Sequence, residues 1–401
     1  MFYWPQHGGL RRRAAGDGGD RQWSECGLQH RAGFNSLSAD YELTMNSLDN
    51  DTERSFYPLA DKVRLINYND YHYNKNWIAR GIRGLAKRRQ KVLPASLAKY
   101  AYFPEYLIDG VCDLVKQGEY DCVIGSTVSS AVLVGLMKEK LPGVRLIGWH
   151  HNSYEIYFQT PVHGFLIQRK LSAIALRKLD ALITLTAHDA GKYQEQMKIN
   201  AGYIYNPLSF SSQQKSALTD KILLFVGRLE RKQKGIDMLL DIAEELFHHR
   251  GYGDWKLRII GNGSGYKDTE EDIRRHGLED QVELLGEREE VIPFYREASV
   301  FVSTSRWEGF GLVITEAMEC GLPVVSFRTD GPSEIIRDGQ DGILIDNYRK
   351  DQFADALERL MTDEELRKRM GTAATERAEE FNLAHILRKW ESVLTGDTPY
   401  L

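Results

Sequence analysis

Short runs that are apolar almost throughout alternate with segments of helical period from residue 63 to residue 327, and this alternation limits the fold more than any other feature. Strands are predicted at Val63–Ile66, Tyr120–Ile124, Val144–Gly148, Ala181–Leu185, Ile222–Val226, Lys256–Ile260, Val282–Leu284, Val300–Ser303 and Val324–Phe327. Strands of this kind are covered on both faces, and helices between them supply the crossovers that a parallel sheet needs. At 401 residues the chain exceeds one ordinary core, so two doubly wound Rossmann-like α/β domains are expected. The polar stretch Asn206–Ser216 reads as a linker. The expected domains are 1–207, 208–380 and a terminal helix over 381–401. In that helix Leu383, Ile386, Leu387, Trp390, Val393 and Leu394 share a face behind an Asn382 cap, and it is expected to pack back on the first domain. Residues 1–40 are poorly readable. A strand at Phe2 and a glycine turn at Gly8-Gly9 are followed by a segment with neither a period of two nor one of 3.6.

A net charge of −5 argues against a dedicated nucleic-acid binder. Cys26, Cys112, Cys122 and Cys320 show no metal-ligand spacing and read as reduced thiols. No window carries the roughly eighteen uninterrupted apolar residues of a spanning helix. The start, Met1-Phe-Tyr-Trp-Pro, lacks the order of a signal peptide, so a cytoplasmic protein is expected. Against this acidic background Trp77–Leu93 reads as a basic helix with Ile78, Ile82 and Leu85 on one face. A helix packed on the core and one peripheral to an anionic membrane, at the inner face of the plasma membrane, both fit it.

Three strand ends of the second domain carry chemistry. Around Glu308 the chain runs from strand through Gly309-Phe310-Gly311 into a helix starting at Leu312, whose free N–H groups and dipole favour an anion. Glu316 lies eight positions after Glu308 among Val313, Ile314, Ala317 and Met318, where a carboxylate needs hydrogen-bond donors. Ligand hydroxyls would supply them; a cap or a salt bridge is the plainer alternative. After Gly227, Arg228 and Lys234 offer a forked and a point-like cation to a diphosphate, although Arg231 and Lys232 beside them are compatible with ordinary surface charge. Gly261-Asn262-Gly263 is a third strand-to-glycine turn, weak by itself.

In their order and spacing these segments, with Gly331-Pro-Ser-Glu-Ile-Ile336, resemble the donor domain of the retaining nucleotide-sugar glycosyltransferases of family 4. The resemblance implies the GT-B fold, two Rossmann-like domains facing across a cleft. It implies a nucleotide-diphosphate sugar as donor, most often a UDP-sugar carrying a hexose, and a saccharide or lipid-linked saccharide acceptor in surface polysaccharide or glycolipid assembly. No cofactor and no metal are expected. Arg228 and Lys234 would hold the diphosphate together with the N–H groups of Phe310, Gly311, Leu312 and Val313. Glu308 would bind the sugar, Glu316 the ribose, and Gly261 and Gly263 would let the nucleotide approach. His151, with His150 as competitor, matches a histidine that family members place near the reacting sugar.

The chain departs from the family at its start. His7-Gly8-Gly9 stands where a donor-holding glycine loop is expected, but residues 10–40 supply no recognisable helix and second strand. Divergence and a reading-frame error both account for this. The latter would leave a degenerate, non-catalytic relative with an impaired first domain. A sugar-nucleotide epimerase or a polysaccharide phosphorylase on the same fold are further alternatives, disfavoured by the pattern of cations and acids.

Overall fold

The computed structural model describes residues 76–160 and 165–396 with their side chains and, before residue 76, the backbone of four strands. The turn His7–Gly9, Cys26 and most of 10–40 lie outside the described residues. The chain divides into two compact units, Met1–Pro207 with Ile386–Leu401 and Leu208–His385.

The first unit holds β1 (Phe2–Pro5), β2 (Leu10–Arg12), β3 (Tyr41–Ser47), β4 (Val63–Asn67), β5 (Tyr120–Gly125), β6 (Arg145–Trp149), β7 (Ala181–Thr184) and β8 (Gly202–Tyr203). They form one sheet in the order β2-β3-β1-β5-β6-β7-β8, with β4 beside β3. The pairs from β5 to β8 and those of β3 with β2 and β4 are parallel. Strand β1 runs antiparallel to both β3 and β5, so this sheet is mixed where the sequence suggests parallel strands alone. Its register shifts between Trp4 and Pro5, where proline has no N–H for the ladder. The buried residues of β5 to β7 make a core with the helices Glu105–Gln117, Val128–Leu136 and Arg169–Leu176.

The Trp77–Arg89 helix is capped by Asn76, whose side chain accepts from the Ile78 N–H. As in the core-facing alternative it lies on the core, with Ile82 partly buried against it, but not the whole predicted stripe faces inward. The helix buries Ala79 and Ala86, while Ile78 and Leu85 remain on the outside. Alanines let a helix backbone come close to its neighbour, and Ile78 and Leu85 are turned away. The terminal helix, Leu383–Thr395, belongs to the first unit from Ile386 onward. There Trp390 meets Trp149 edge-on at 4.7 Å, and the Arg145 Nε donates to the Val393 carbonyl at 2.8 Å.

The second unit contains β9 (Ile222–Val226), β10 (Lys256–Ile260), β11 (Val282–Gly286), β12 (Val300–Ser303), β13 (Val324–Phe327) and β14 (Gly342–Ile345). All pairs are parallel, in the order β11-β10-β9-β12-β13-β14. The chain therefore winds one way from β9 to β11 and the other way from β12 to β14. Between β9 and β12 lies the switch point, and ligands of such sheets bind at the carboxyl ends of the strands there. The polar stretch after Pro207 is not a loose linker. The Ser212 N–H donates to the Glu319 carboxylate at 2.7 Å, the Lys215 ammonium lies 3.0 Å from the same group, and the Ser216 N–H bonds the Cys320 carbonyl. Serines that look unstructured in sequence here satisfy a buried acid.

Candidate functional site

The switch point gathers most of the residues singled out in the second domain. Gly227 closes β9 and donates its N–H to the Ile260 carbonyl at 3.0 Å, so the ends of β9 and β10 lie against each other. Gly261, at φ +144°, permits this, because a Cβ there would stand 1.8 Å from the Gly227 oxygen. Gly263 follows, its N–H donating to the Asn262 side chain at 2.8 Å.

After Arg228 a short helix, Arg231–Lys234, carries the lysine to the end of β12. Two sets of bonds fix that loop. The Thr304 hydroxyl donates to the carbonyls of Lys234 at 3.0 Å and Gly235 at 3.1 Å. The Arg306 N–H donates to the Gln233 carbonyl at 2.7 Å, and its guanidinium grips Asp237. Held in this way, the Lys234 Nζ lies 2.7 Å from the Glu308 Oε2, with the two side chains only 3% and 12% exposed. Two expected site residues are thus brought together as a buried ion pair. The Arg228 guanidinium touches Gln233 at 3.3 Å, while its Nε is buried with no hydrogen-bond partner among the described residues. A buried, unmet cationic donor is costly unless an anion answers it.

The turn after Glu308 is braced by the Gly331 N–H, which donates to the Glu308 carbonyl at 3.0 Å. Phe310 is buried with its ring 5.8 Å from that of Phe381. Gly311 caps the Leu312–Glu319 helix at φ +101°, a left-handed conformation open to glycine, and no side chain caps the first turn. Leu312 and Val313 are half-buried at that helix start.

Glu316, also half-buried, has a partner that the sequence reading did not foresee. The Tyr295 hydroxyl donates to its Oε2 at 2.9 Å. Tyr295 is fully buried on the Ile292–Glu297 helix, ringed by Phe210 and Phe301. An aromatic one turn before a strand reads as core, and nothing beside it in sequence marks a polar duty.

In the first unit β6 runs directly into the two histidines. His150 is wholly buried; its Nδ1 pairs with the Tyr193 hydroxyl at 2.5 Å, and burial pushes its pKa down to about 3. His151 is half-buried, its ring 4.2 Å from that of Trp149. Of the pair, only His151 has surface to offer a ligand. Burial also raises Cys112 and Cys320 to about 11, which leaves both thiols inert.

The family model for glycosyl transferases group 1 matches residues 209–377, the unit that carries the switch-point residues. The chain is 30% identical to the uncharacterized glycosyltransferase MJ1178 of Methanocaldococcus jannaschii over 65% of its own length and 69% of the relative. It belongs to the glycosyl transferases group 1 family. A second relative is the amylovoran biosynthesis glycosyltransferase AmsD of Erwinia amylovora, 31% identical, of which the chain spans 65% while using 56% of itself. Among solved structures, Anabaena HepE in complex with UDP superposes with a TM-score of 0.70, covering 96% of this chain and 98% of that one at 16% identity. At that identity the likeness is one of fold, and the fold is GT-B.

Proposed function

We propose that this group 1 family member is a retaining glycosyltransferase. It moves a hexose-type sugar from a UDP-sugar to a saccharide or lipid-linked saccharide acceptor in surface polysaccharide or glycolipid assembly. The observation that carries the reading is the buried Lys234–Glu308 pair beside the unmet Arg228 Nε, set at the switch point next to an uncapped helix start. A sugar diphosphate answers every part of that arrangement. Its phosphates take Arg228, Lys234 and the first-turn N–H groups, and its sugar hydroxyls donate to the Glu308 carboxylate in exchange for the ammonium. Glu316, aimed by Tyr295, accepts from the ribose. UDP is the nucleotide on the precedent of HepE, whose structure holds it.

In the reaction the bond from the anomeric carbon to the diphosphate oxygen breaks, and its electron pair leaves with the diphosphate. The acceptor oxygen bonds to the same face of the sugar, and its proton passes to the departing phosphate. The cations stabilise the charge as it develops, so the protein's task is electrostatic and positional, and no metal is proposed. His151 is assigned, from the family resemblance, to the reacting sugar. The test is a panel of UDP-sugars with and without saccharide acceptors. Turnover of at least one is expected, and His151→Ala should lower kcat more than it raises KM. Binding of nucleotide with no turnover across the panel would support the degenerate relative instead.

A further inference from the structure

The Trp77–Arg89 helix leaves a face exposed among the described residues. Trp77 is 78% exposed, Leu85 52% and Ile78 45%. At 3.6 residues per turn Ile78 and Leu85 lie on one line, with Trp77 to one side of it and Arg89 to the other. Arg88 follows on the Trp77 line, while Lys87 lies about a quarter turn beyond it, opposite Ile78. Lys87, Arg88 and Arg89 have no carboxylate partner among the described residues. Cations in a last turn complement the helix dipole, but that does not account for a tryptophan held in water at the first turn. From Trp77 to Pro104 the chain contains no Asp or Glu, although its net charge is −5. Gly81 and Gly84 share the Trp77 line, and a Cβ on either would meet nothing within 4 Å. Glycines inside a helix weaken it, and these gain no packing in return. What they leave is a low ridge that can lie close against a plane.

We propose that this face docks on the surface of an anionic lipid bilayer. Trp77, Ile78 and Leu85 enter the boundary between headgroups and acyl chains, while Arg88 and Arg89 meet the lipid phosphates. Charge complementarity selects an anionic surface over a neutral one. The exposed tryptophan selects a bilayer over a purely polar polyanion. Nothing in this assignment depends on the nucleotide-sugar donor.

Flotation of the full-length protein with vesicles tests it. Binding is expected to phosphatidylcholine vesicles containing about a third phosphatidylglycerol, weakly or not at all to phosphatidylcholine alone, and to weaken as salt rises. Arg88→Gln with Arg89→Gln should lower binding roughly fivefold per charge, about twenty-five-fold together. Trp77→Ala with Leu85→Ser should lower it at least about tenfold. Lys368→Gln with Arg369→Gln, exposed cations of the second unit, should leave it unchanged. Unchanged circular dichroism keeps both helix variants interpretable, since none of the four side chains is buried. The proposal is overturned if anionic vesicles do not bind, if both helix variants bind like the parent, or if an acidic polysaccharide binds through these cations while vesicles do not.

Discussion

Lys234 and Glu308 are each expensive to bury alone, and each is made tolerable by the other. Lys234→Met or Glu308→Gln alone should therefore destabilise the protein by about 3 kcal/mol, because each leaves one buried charge unanswered. The double variant should recover most of that in denaturant unfolding, while donor turnover stays lost in all three. Recovery of turnover with stability would show the pair to be structural only. Tyr295 makes a narrower case. Tyr295→Phe keeps the ring among Phe210 and Phe301 and removes only the bond to Glu316. Donor KM should rise roughly tenfold, about 1.4 kcal/mol, with kcat little changed, and a donor lacking the ribose hydroxyls should not feel the substitution. Both acids were legible as candidates from their spacing and neighbours. Lys234 was legible too, as a cation for the diphosphate, but its pairing with Glu308 was not, and Tyr295 carries no signal in its neighbours that would tie it to Glu316.

At the level of elements, five of the six strands of the second unit were read to within two residues of their bounds, while β14 and the helices Lys350–Thr362 and Glu364–Ala378 were missed. The strands β9, β12 and β13 are apolar almost throughout, and β9, β10 and β11 end at a glycine. The close contact between the ends of β9 and β10 gives a test that separates strain from steric conflict. Gly251 and Gly261 both have positive φ, but a Cβ on Gly251 meets nothing within 4 Å whereas one on Gly261 meets a carbonyl oxygen. Gly251→Ala should cost about 1 kcal/mol from backbone strain alone. Gly261→Ala should cost clearly more and raise donor KM as well; equal costs would show that the two strand ends part freely. The Trp77 helix shows the limit of periodicity. Its stripe of Ile78, Ile82 and Leu85 was plain, yet the two alanines decided which side faces the core.

For the whole molecule, the two-domain plan followed from length and alternation. The antiparallel β1 and the return of the terminal helix from Ile386 rest on pairings between residues far apart, to which local pattern is blind. Global stability also carries a mark of the buried His150. Its folded pKa, about 3, lies below the ordinary 6.5, so the unfolded chain binds more protons between those values. The contribution is complete above pH 6.5 and is lost as pH falls, by about 2 kcal/mol between pH 7 and pH 5. His150→Gln should flatten that part of the unfolding profile; an unchanged slope would mean that His150 is charged in the folded protein. The central claim is that buried cations and a helix start, acting on a sugar diphosphate, suffice for transfer on one face. Its most direct test is magnetic-resonance identification of the anomer first formed from the UDP-sugar that turns over, with a metal chelator present. The account predicts a product with the donor's own anomeric configuration, undiminished by the chelator and abolished in Arg228→Ala. An inverted product, or activity that vanishes with the chelator, would contradict it.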